Sequence, residues 1–426
     1  MMVPLSPKII CMITTRLTNF LALLMPGILV AATGVGAGDL ATASFTGSQL
    51  GLAILWAVVV GGVLKFTLTE GLARWQLVTG KTFLEGVAQH FGRLTGWLFL
   101  PYLLLWSFFV STALMSACGI TLHAMLPLFD DAENAKIWFG ISASLVGLGL
   151  VLTGGFKLFE RIMVISIGIM FVTVVVTALL LWPGTEAVLS GLFIPTIPDA
   201  QGAGVTWTVA LIGGVGGTLT ILCYGYWNKE KGRTNIKDIN TCRIDLTAGY
   251  LMTIIFGVAM VIIGSTIDIE GQGAGLLVTL ADSLEKPLGP TGRWLFLIGA
   301  FSAIFSSLLG VWQAVPYLFA DMWRLFFKQT TQPLSKNVAS TAPYRIYLFA
   351  LAVIPMLGLL MSFREAQKIY AVIGALFVPL LAIALLILNG NRAWVGKFTN
   401  RLPTIGVLLA ALAFFAWMAW LKWAPI

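Results

Sequence analysis

The chain has 426 residues, of which 58% are hydrophobic and 10% charged, with a mean hydropathy of +0.93. A soluble domain carries about 25% charged residues, so a soluble globular protein is excluded and a polytopic helical membrane protein is expected. The net charge of +8 does not point to nucleic acid, because the 26 Lys and Arg lie in short turns between apolar runs and form no basic domain.

A membrane span needs about 20 mainly apolar residues. Runs of that kind fall at 20–48, 51–73, 97–122, 137–153, 161–182, 207–227, 243–264, 294–320, 345–361, 368–388 and 403–423, which predicts eleven transmembrane helices. The run Phe20 to Ala32 follows Lys8 and Arg16 as a signal peptide would, but ten further spans follow it and no convincing cleavage site is present. It is read as the start of span 1.

With the N-terminus inside, the inward connections hold most of the basic residues, including Arg74, Lys81, Arg93, Lys229, Lys231, Arg233, Lys237, Arg392 and Arg401. The outward side holds Lys136, Lys286, Arg293, Arg364, Lys368 and Lys422, and Lys65 lies within span 2. This asymmetry predicts a multi-pass plasma-membrane protein with a cytoplasmic N-terminus and an extracellular C-terminus. Trp56, Trp75, Trp97, Trp138, Trp182 and Trp294 fall near span ends and are expected as interfacial anchors.

Span 1, extended to Leu50, would be about 46 Å long as a straight helix, too long for a hydrocarbon core of about 30 Å. Its middle reads Thr33-Gly34-Val35-Gly36-Ala37-Gly38-Asp39. Glycines weaken a helix by about 1 kcal/mol each relative to Ala, and an acid that can cap a new helix start follows them. Span 6 carries Gly213-Gly214-Val215-Gly216-Gly217-Thr218 at the corresponding depth. Five spans separate the two breaks, so the second set of five inserts with inverted topology. Gly-interrupted segments in matching positions of two halves mark a midplane binding site in inverted-repeat transporters. Close helix packing is the alternative use of such glycines, but packing needs no acid beside the break. An ionisable group deep in a bilayer costs several kcal/mol and marks a substrate or ion path, which singles out Asp39.

The fold class expected is therefore an all-α integral membrane protein with a 5+5 inverted repeat and broken helices 1 and 6. The segments are 1–19 as the N-terminal tail, 20–183 as the first repeat, 184–204 as an extracellular connection, 205–389 as the second repeat, and 390–426 with the additional helix 11.

Cys11, Cys118, Cys223 and Cys242 are widely spaced and imply neither a disulfide framework nor a zinc site. With His90 and His123 the only histidines, no H-E-x-x-H pair exists, and no GxxxxGK[ST] loop supports ATP-driven pumping. No nucleophile and base pair is visible either, so an enzyme is not expected and no cofactor is implied.

Several short motifs resemble the Nramp (natural resistance-associated macrophage protein) family of divalent-metal transporters, which have a LeuT-like inverted repeat. They are Met25-Pro26-Gly27 and Gly47-Ser48-Gln49-Leu50-Gly51 around the first break, Val78-Thr79-Gly80-Lys81-Thr82 with Leu84-Glu85 after span 2, Gly155-Phe156-Lys157-Leu158-Phe159-Glu160 before span 5, and Ile194-Pro195-Thr196-Ile197-Pro198 before span 6. Each is weak alone, and their order and spacing carry the likeness over most of the chain. The departures fall on the family's metal-binding motifs. Its helix 1 motif Asp-Pro-Gly-Asn is Gly36-Ala37-Gly38-Asp39 here, so the acid sits one turn later. Its helix 6 Met-Pro-His is Thr220-Ile221-Leu222, and Phe377 stands where its helix 10 usually has Gln.

The resemblance implies a divalent cation as substrate, and the changed residues suggest which kind. The candidate ligands are the Asp39 carboxylate, the Thr220 hydroxyl, and carbonyls freed at Gly36 and Gly217, an all-oxygen set that suits hard ions such as magnesium or manganese. Cys223, one turn beyond Thr220, would be a soft ligand, but a buried free Cys usually behaves as a small hydrophobe. The family couples metal to protons through the helix 6 His and acids in helix 3. Span 3, Trp97 to Leu122, has no acid, so that route lacks its residues here, and His123 at its outer end reads as interfacial. Glu70 and Arg74 read as an i,i+4 surface pair, with Lys65 snorkelling or gating. The acidic stretches Asp130-Asp131-Ala132-Glu133 and Asp268-Ile269-Glu270 read as solvated loops. An amine or amino-acid carrier of the same fold, with Asp39 pairing an ammonium, and a non-transporting membrane sensor are the alternatives. The partners expected are the lipid bilayer and the transported cation, without nucleic acid; the oligomeric state is left open.

Overall fold

In a computed structural model, residues 24–92, 94–200, 202–266, 276–327 and 338–423 are described. The N-terminal tail, the first residues of span 1 and Asp268-Ile269-Glu270 lie outside them. The described residues are almost entirely helical, and nine helical stretches among them are long and apolar enough to cross a membrane. Two of the nine contain a turn where the sequence places a boundary between successive spans. Asp39–Thr79 turns at Gly51 (φ 65°, ψ −155°), and Ala132–Leu180 turns at Gly155 (φ 60°, ψ −179°).

The helices are α1 (Met25–Gly34), α2 (Ala43–Leu50), α3 (Leu55–Thr79), α4 (Phe83–Phe91), α5 (Leu94–Met125), α6 (Ala132–Leu180), α7 (Thr185–Phe193) and α8 (Gly204–Gly214). They continue as α9 (Tyr224–Glu230), α10 (Ile239–Gly264), α11 (Leu276–Met322), α12 (Ala342–Val353), α13 (Phe363–Leu388), α14 (Arg392–Val395) and α15 (Leu402–Trp423). Short α4 follows α3 because Gly80 adopts the left-handed conformation and Thr82 with Glu85 forms a reciprocal capping box. Asp131 caps α6 in the same role, so part of one acidic stretch has a structural use.

Span 1 differs from the sequence reading in the form of its interruption. The chain does not unwind between α1 and α2 but runs through an eight-residue π-helical segment, Val35–Thr42. Asp39 therefore sits inside this segment and caps no new helix. A π segment widens the hydrogen-bond ladder and re-aims side chains without exposing a full turn of backbone, and such segments occur at functional sites. Tight packing explains why the backbone stays helical. Gly27 meets the backbone of Asp245 and Gly249, Gly47 meets Val261, and Ser44 meets Gly264, so α1 and α2 lie flush against α10.

One buried core runs through most of these helices and a small second cluster joins Trp75, Leu388 and Val395, while α15 lies at the periphery with Trp420 64% exposed. Trp97, Trp138, Trp182 and Trp294 are exposed, as membrane anchors require. Trp56 and Trp75 are buried instead, with Trp56 Nε1 donating to the Thr196 carbonyl (3.0 Å) and Trp75 Nε1 to that of Thr82 (3.3 Å). Lys136, an expected outward-facing charge, is also buried and donates to Glu133 and to the Met361 carbonyl.

Candidate functional site at the helix breaks

α8 ends at Gly214, and the chain crosses Val215–Thr218 before a 3₁₀ turn, Leu219–Cys223, leads into α9. Gly216 (φ 71°) and Gly217 (φ 84°) occupy the left-handed region, which costs residues with a Cβ roughly 1–2 kcal/mol. This is the physical reason for paired glycines here. The break abuts span 1 directly, since a Cβ on Gly34 would lie 2.5 Å from the Gly217 nitrogen.

A broken helix leaves carbonyls at the end of its first half and N–H groups beyond it without intrahelical partners. Two charged side chains serve them. The Asp39 carboxylate, fully buried, accepts the Gly216 N–H at 3.3 Å to each oxygen. The Lys65 ammonium, also fully buried, donates to the Gly213 carbonyl at 2.6 Å and to the Gly217 carbonyl. Asp39 and Lys65 interact electrostatically, yet no ion pair within 4 Å joins them among the described residues. The Asp39 bonds are long for charge-assisted ones, which cluster near 2.7–2.9 Å, so its acceptor capacity is lightly used.

Side chains from three more helices fix the break. From α5, Trp106 Nε1 donates to Thr218 Oγ1 at 2.8 Å, and Tyr370 of α13 bonds the same threonine. From α10, Tyr250 lies against Gly216 and shares a 2.6 Å hydrogen bond with Thr69 of α3. Thr42, at the end of the π segment, accepts from Gln367 Nε2 at 2.8 Å.

Of the four residues expected as ligands, three come together. Asp39 meets the break, Gly217 is part of it, and a Cβ on Gly217 would stand 2.6 Å from Thr220 Oγ1. Gly36 is directed elsewhere: its N–H donates to Ser307 Oγ at 2.7 Å and it packs on Ile304 of α11. The Gly217 carbonyl is bonded to Lys65, which the sequence reading left outside the site. Snorkelling of Lys65 is overturned, because its ammonium points into the protein and not to a headgroup. Among the described residues, no group of three or more His, Cys, Asp or Glu could hold a metal, so the break offers one carboxylate and neutral oxygens. Phe377 stacks on Tyr102 of α5 (5.8 Å between centroids), and both line an apolar cleft with Phe83, Phe99 and Phe326. Thr69, Trp106, Tyr250 and Tyr370 carried no sequence signal, but Lys65 did, as a cation inside an apolar run.

The end of the bundle that carries most of the basic residues is closed below the break. Asp321 Oδ2 accepts from Thr82 Oγ1 (2.7 Å) and Tyr226 Oη (2.8 Å). Arg324 joins Asp321 Oδ1 (2.6 Å) to Glu85 Oε1 (2.7 Å). Gln76 donates to the Gly225 carbonyl at 2.9 Å. The cavity left among Leu72, Gln76, Thr82, Leu222, Tyr226 and Leu318 is about 10 Å³, room for one water at most. Nearby, Glu70 is no surface residue. It binds Arg74 (3.2 Å) and Arg243 (2.8 Å), and Arg74 reaches the Phe398 carbonyl and Asn400.

The divalent metal cation transporter MntH of Mycobacterium leprae is 24% identical over 408 residues, covering 92% of this chain and 88% of that protein. An uncharacterised protein of Pasteurella multocida is 24% identical over 332 residues, 75% of each chain. A mutant of the Eremococcus coleocola manganese transporter superposes with a TM-score of 0.72 at 14% identity, covering 98% of this chain and 88% of that one. MhsT in complex with L-phenylalanine superposes with a TM-score of 0.60 at 15% identity, covering 93% and 98%. The two structural likenesses establish a shared fold. The family described as natural resistance-associated macrophage protein-like matches residues 27–423, and this chain belongs to that Nramp family.

Proposed function

We propose that this protein is a secondary transporter that moves a divalent metal cation across the membrane by alternating access, with a hard ion such as magnesium or manganese favoured. The observation that carries the reading is the fully buried Asp39 carboxylate facing a broken helix from an interrupted one. A buried carboxylate so lightly bonded attracts a cation, and neutral oxygens at Thr220 and Gly217 complete a hard-ligand set. The names of the Mycobacterium leprae and Eremococcus coleocola proteins support the substrate class. Gly36 has no contact that favours it as a ligand over a packing position. The membrane is the plasma membrane, with the N-terminus in the cytoplasm, as the basic residues indicate.

Alternating access requires one side to be shut while the other opens, and the Asp321–Tyr226–Thr82–Arg324–Glu85 cluster is suited to hold the inner side shut. The test is influx of magnesium, manganese and calcium into sealed proteoliposomes, with and without a pH gradient, for wild type and Asp39→Asn. Saturable influx that Asp39→Asn abolishes is expected. Folded wild-type protein that carries none of these ions but carries amines or amino acids would replace this reading with the carrier reading.

A further inference from the structure

Lys65 is spent by no part of the function proposed above, yet it is one of two fully buried charges at the break. Its ammonium bonds one carbonyl at the end of the first half of a broken helix, that of Gly213, and one in the crossing that follows, that of Gly217. In transporters of this architecture, half-helix C-terminal ends and unwound carbonyls are where a cation is coordinated. The ammonium and the Asp39 carboxylate also bind the same four-residue crossing through opposite poles, carbonyl oxygen on one side and N–H on the other.

We propose that the Lys65 ammonium is a built-in cation of the transport site, which holds the carbonyls of the helix break between transport events and yields the Gly217 carbonyl to the transported ion. The proposal rests on the reading that the break binds a cation. Three consequences follow from the chemistry. A buried carbonyl without a partner costs free energy, so the tethered ammonium keeps the break intact when no ion is bound. A monovalent ion carries the same charge as the ammonium and must compete with a group held at high effective concentration by its tether, so sodium and potassium are rejected. A divalent ion gains twice the attraction to Asp39 and can displace the ammonium. Lys65 is thus a specificity-determining residue that weakens binding of every cation and tolerates only the strongest competitor.

The experiment compares wild type with Lys65→Gln, Lys65→Met and Lys65→Arg in purified full-length protein. Manganese affinity is read by calorimetry, and sodium or potassium binding by the salt-specific rise of the thermal midpoint against choline. Lys65→Gln keeps a donor to the carbonyls but removes the charge. It is expected to bind manganese about tenfold more tightly than wild type and to gain saturable stabilisation by sodium or potassium. Lys65→Arg keeps the charge and is expected to go on rejecting monovalent ions. Should Lys65→Met fail to fold, the Gln and Arg variants still carry the comparison. A purely packing role lowers stability without moving the divalent against monovalent preference. Manganese affinity within twofold of wild type in Lys65→Gln, with no monovalent stabilisation, overturns the proposal. Monovalent binding gained by Lys65→Gln, with no divalent binding by any protein, upholds the built-in cation and overturns the metal reading instead.

Discussion

Asp39 and Lys65, 26 positions apart in sequence, hold one helix break from opposite poles: the carboxylate accepts the Gly216 N–H, while the ammonium donates to the Gly213 and Gly217 carbonyls. Each charge is stabilised by backbone dipoles that a regular helix would have used internally. The break is therefore an ionic structure as well as a glycine-permitted one, and under the proposal for Lys65 its shape depends on which cation faces Asp39.

The backbone side of this dependence is testable at Gly217. A Cβ there would face a left-handed backbone (φ 84°) and stand 2.6 Å from Thr220 Oγ1. Gly217→Ala is expected to cost about 1–2 kcal/mol of stability and to abolish saturable metal binding. Calorimetry showing wild-type affinity in this variant would remove Gly217 from the site.

Closure of the inner side is testable at Tyr226, whose hydroxyl donates to Asp321. A hydrogen bond to a charged group contributes about 1.5–3 kcal/mol, so Tyr226→Phe should populate the inward-open form roughly ten- to a hundredfold more. Cys223, buried and three residues before Tyr226, is the reporter. In a background where it is the remaining cysteine, it should react faster with a maleimide applied from the cytoplasmic side. An unchanged rate argues that Tyr226 does not hold the gate.

The all-oxygen ligand set predicts that Cys223→Ser leaves manganese and cadmium influx unchanged. A selective loss of cadmium influx would make the thiol a ligand and the site softer than proposed.

Neutralising the shared acid of the Glu70 network removes the ion-pair partner of Arg243 and of Arg74, which is only 4% exposed and keeps the Phe398 carbonyl and Asn400 as acceptors. Breaking a buried pair costs about 3–5 kcal/mol, and the partial exposure of Arg243 lowers the expectation for Glu70→Gln to roughly 2–3 kcal/mol. The measurement is the thermal midpoint in detergent. A shift no larger than that of a surface Glu→Gln control would reduce the network to a surface pair.

His90 in α4 stacks on Trp394 (3.7 Å between centroids), and burial, then the charge of Lys81, holds its imidazole below the ordinary value of 6.5. The folded protein then takes up this proton less readily than the unfolded chain. The stability contributed by neutral His90 is present above pH 6.5 and is lost as the pH falls from there towards the lowered folded value. The thermal midpoint should fall across that window, and His90→Phe should flatten the fall. An equal fall in the variant would assign the pH dependence to other groups.

What the sequence determined by itself follows from composition and local chemistry. Apolar length set the spans, paired glycines beside Thr218 marked the helix 6 break, and an acid in an apolar run marked Asp39, because burial of charge is costly wherever the chain folds. The family's motif order placed the fold. What needed the tertiary structure was every partnership across the bundle. Lys65 meets Gly213 and Gly217 across 148 and 152 positions, so no local pattern distinguishes an ammonium that enters a helix break from one that snorkels to a headgroup. Glu70 and Arg74 show the same limit, since their i,i+4 spacing is equally that of a surface pair and of a buried network completed by Arg243 and Asn400. The interruption of span 1 was legible as a weakness in the helix, but its π-helical form was decided by packing against α10 and by Ser307, which binds the Gly36 N–H. Local sequence sets where a helix can give way, and the neighbours that satisfy its backbone decide how.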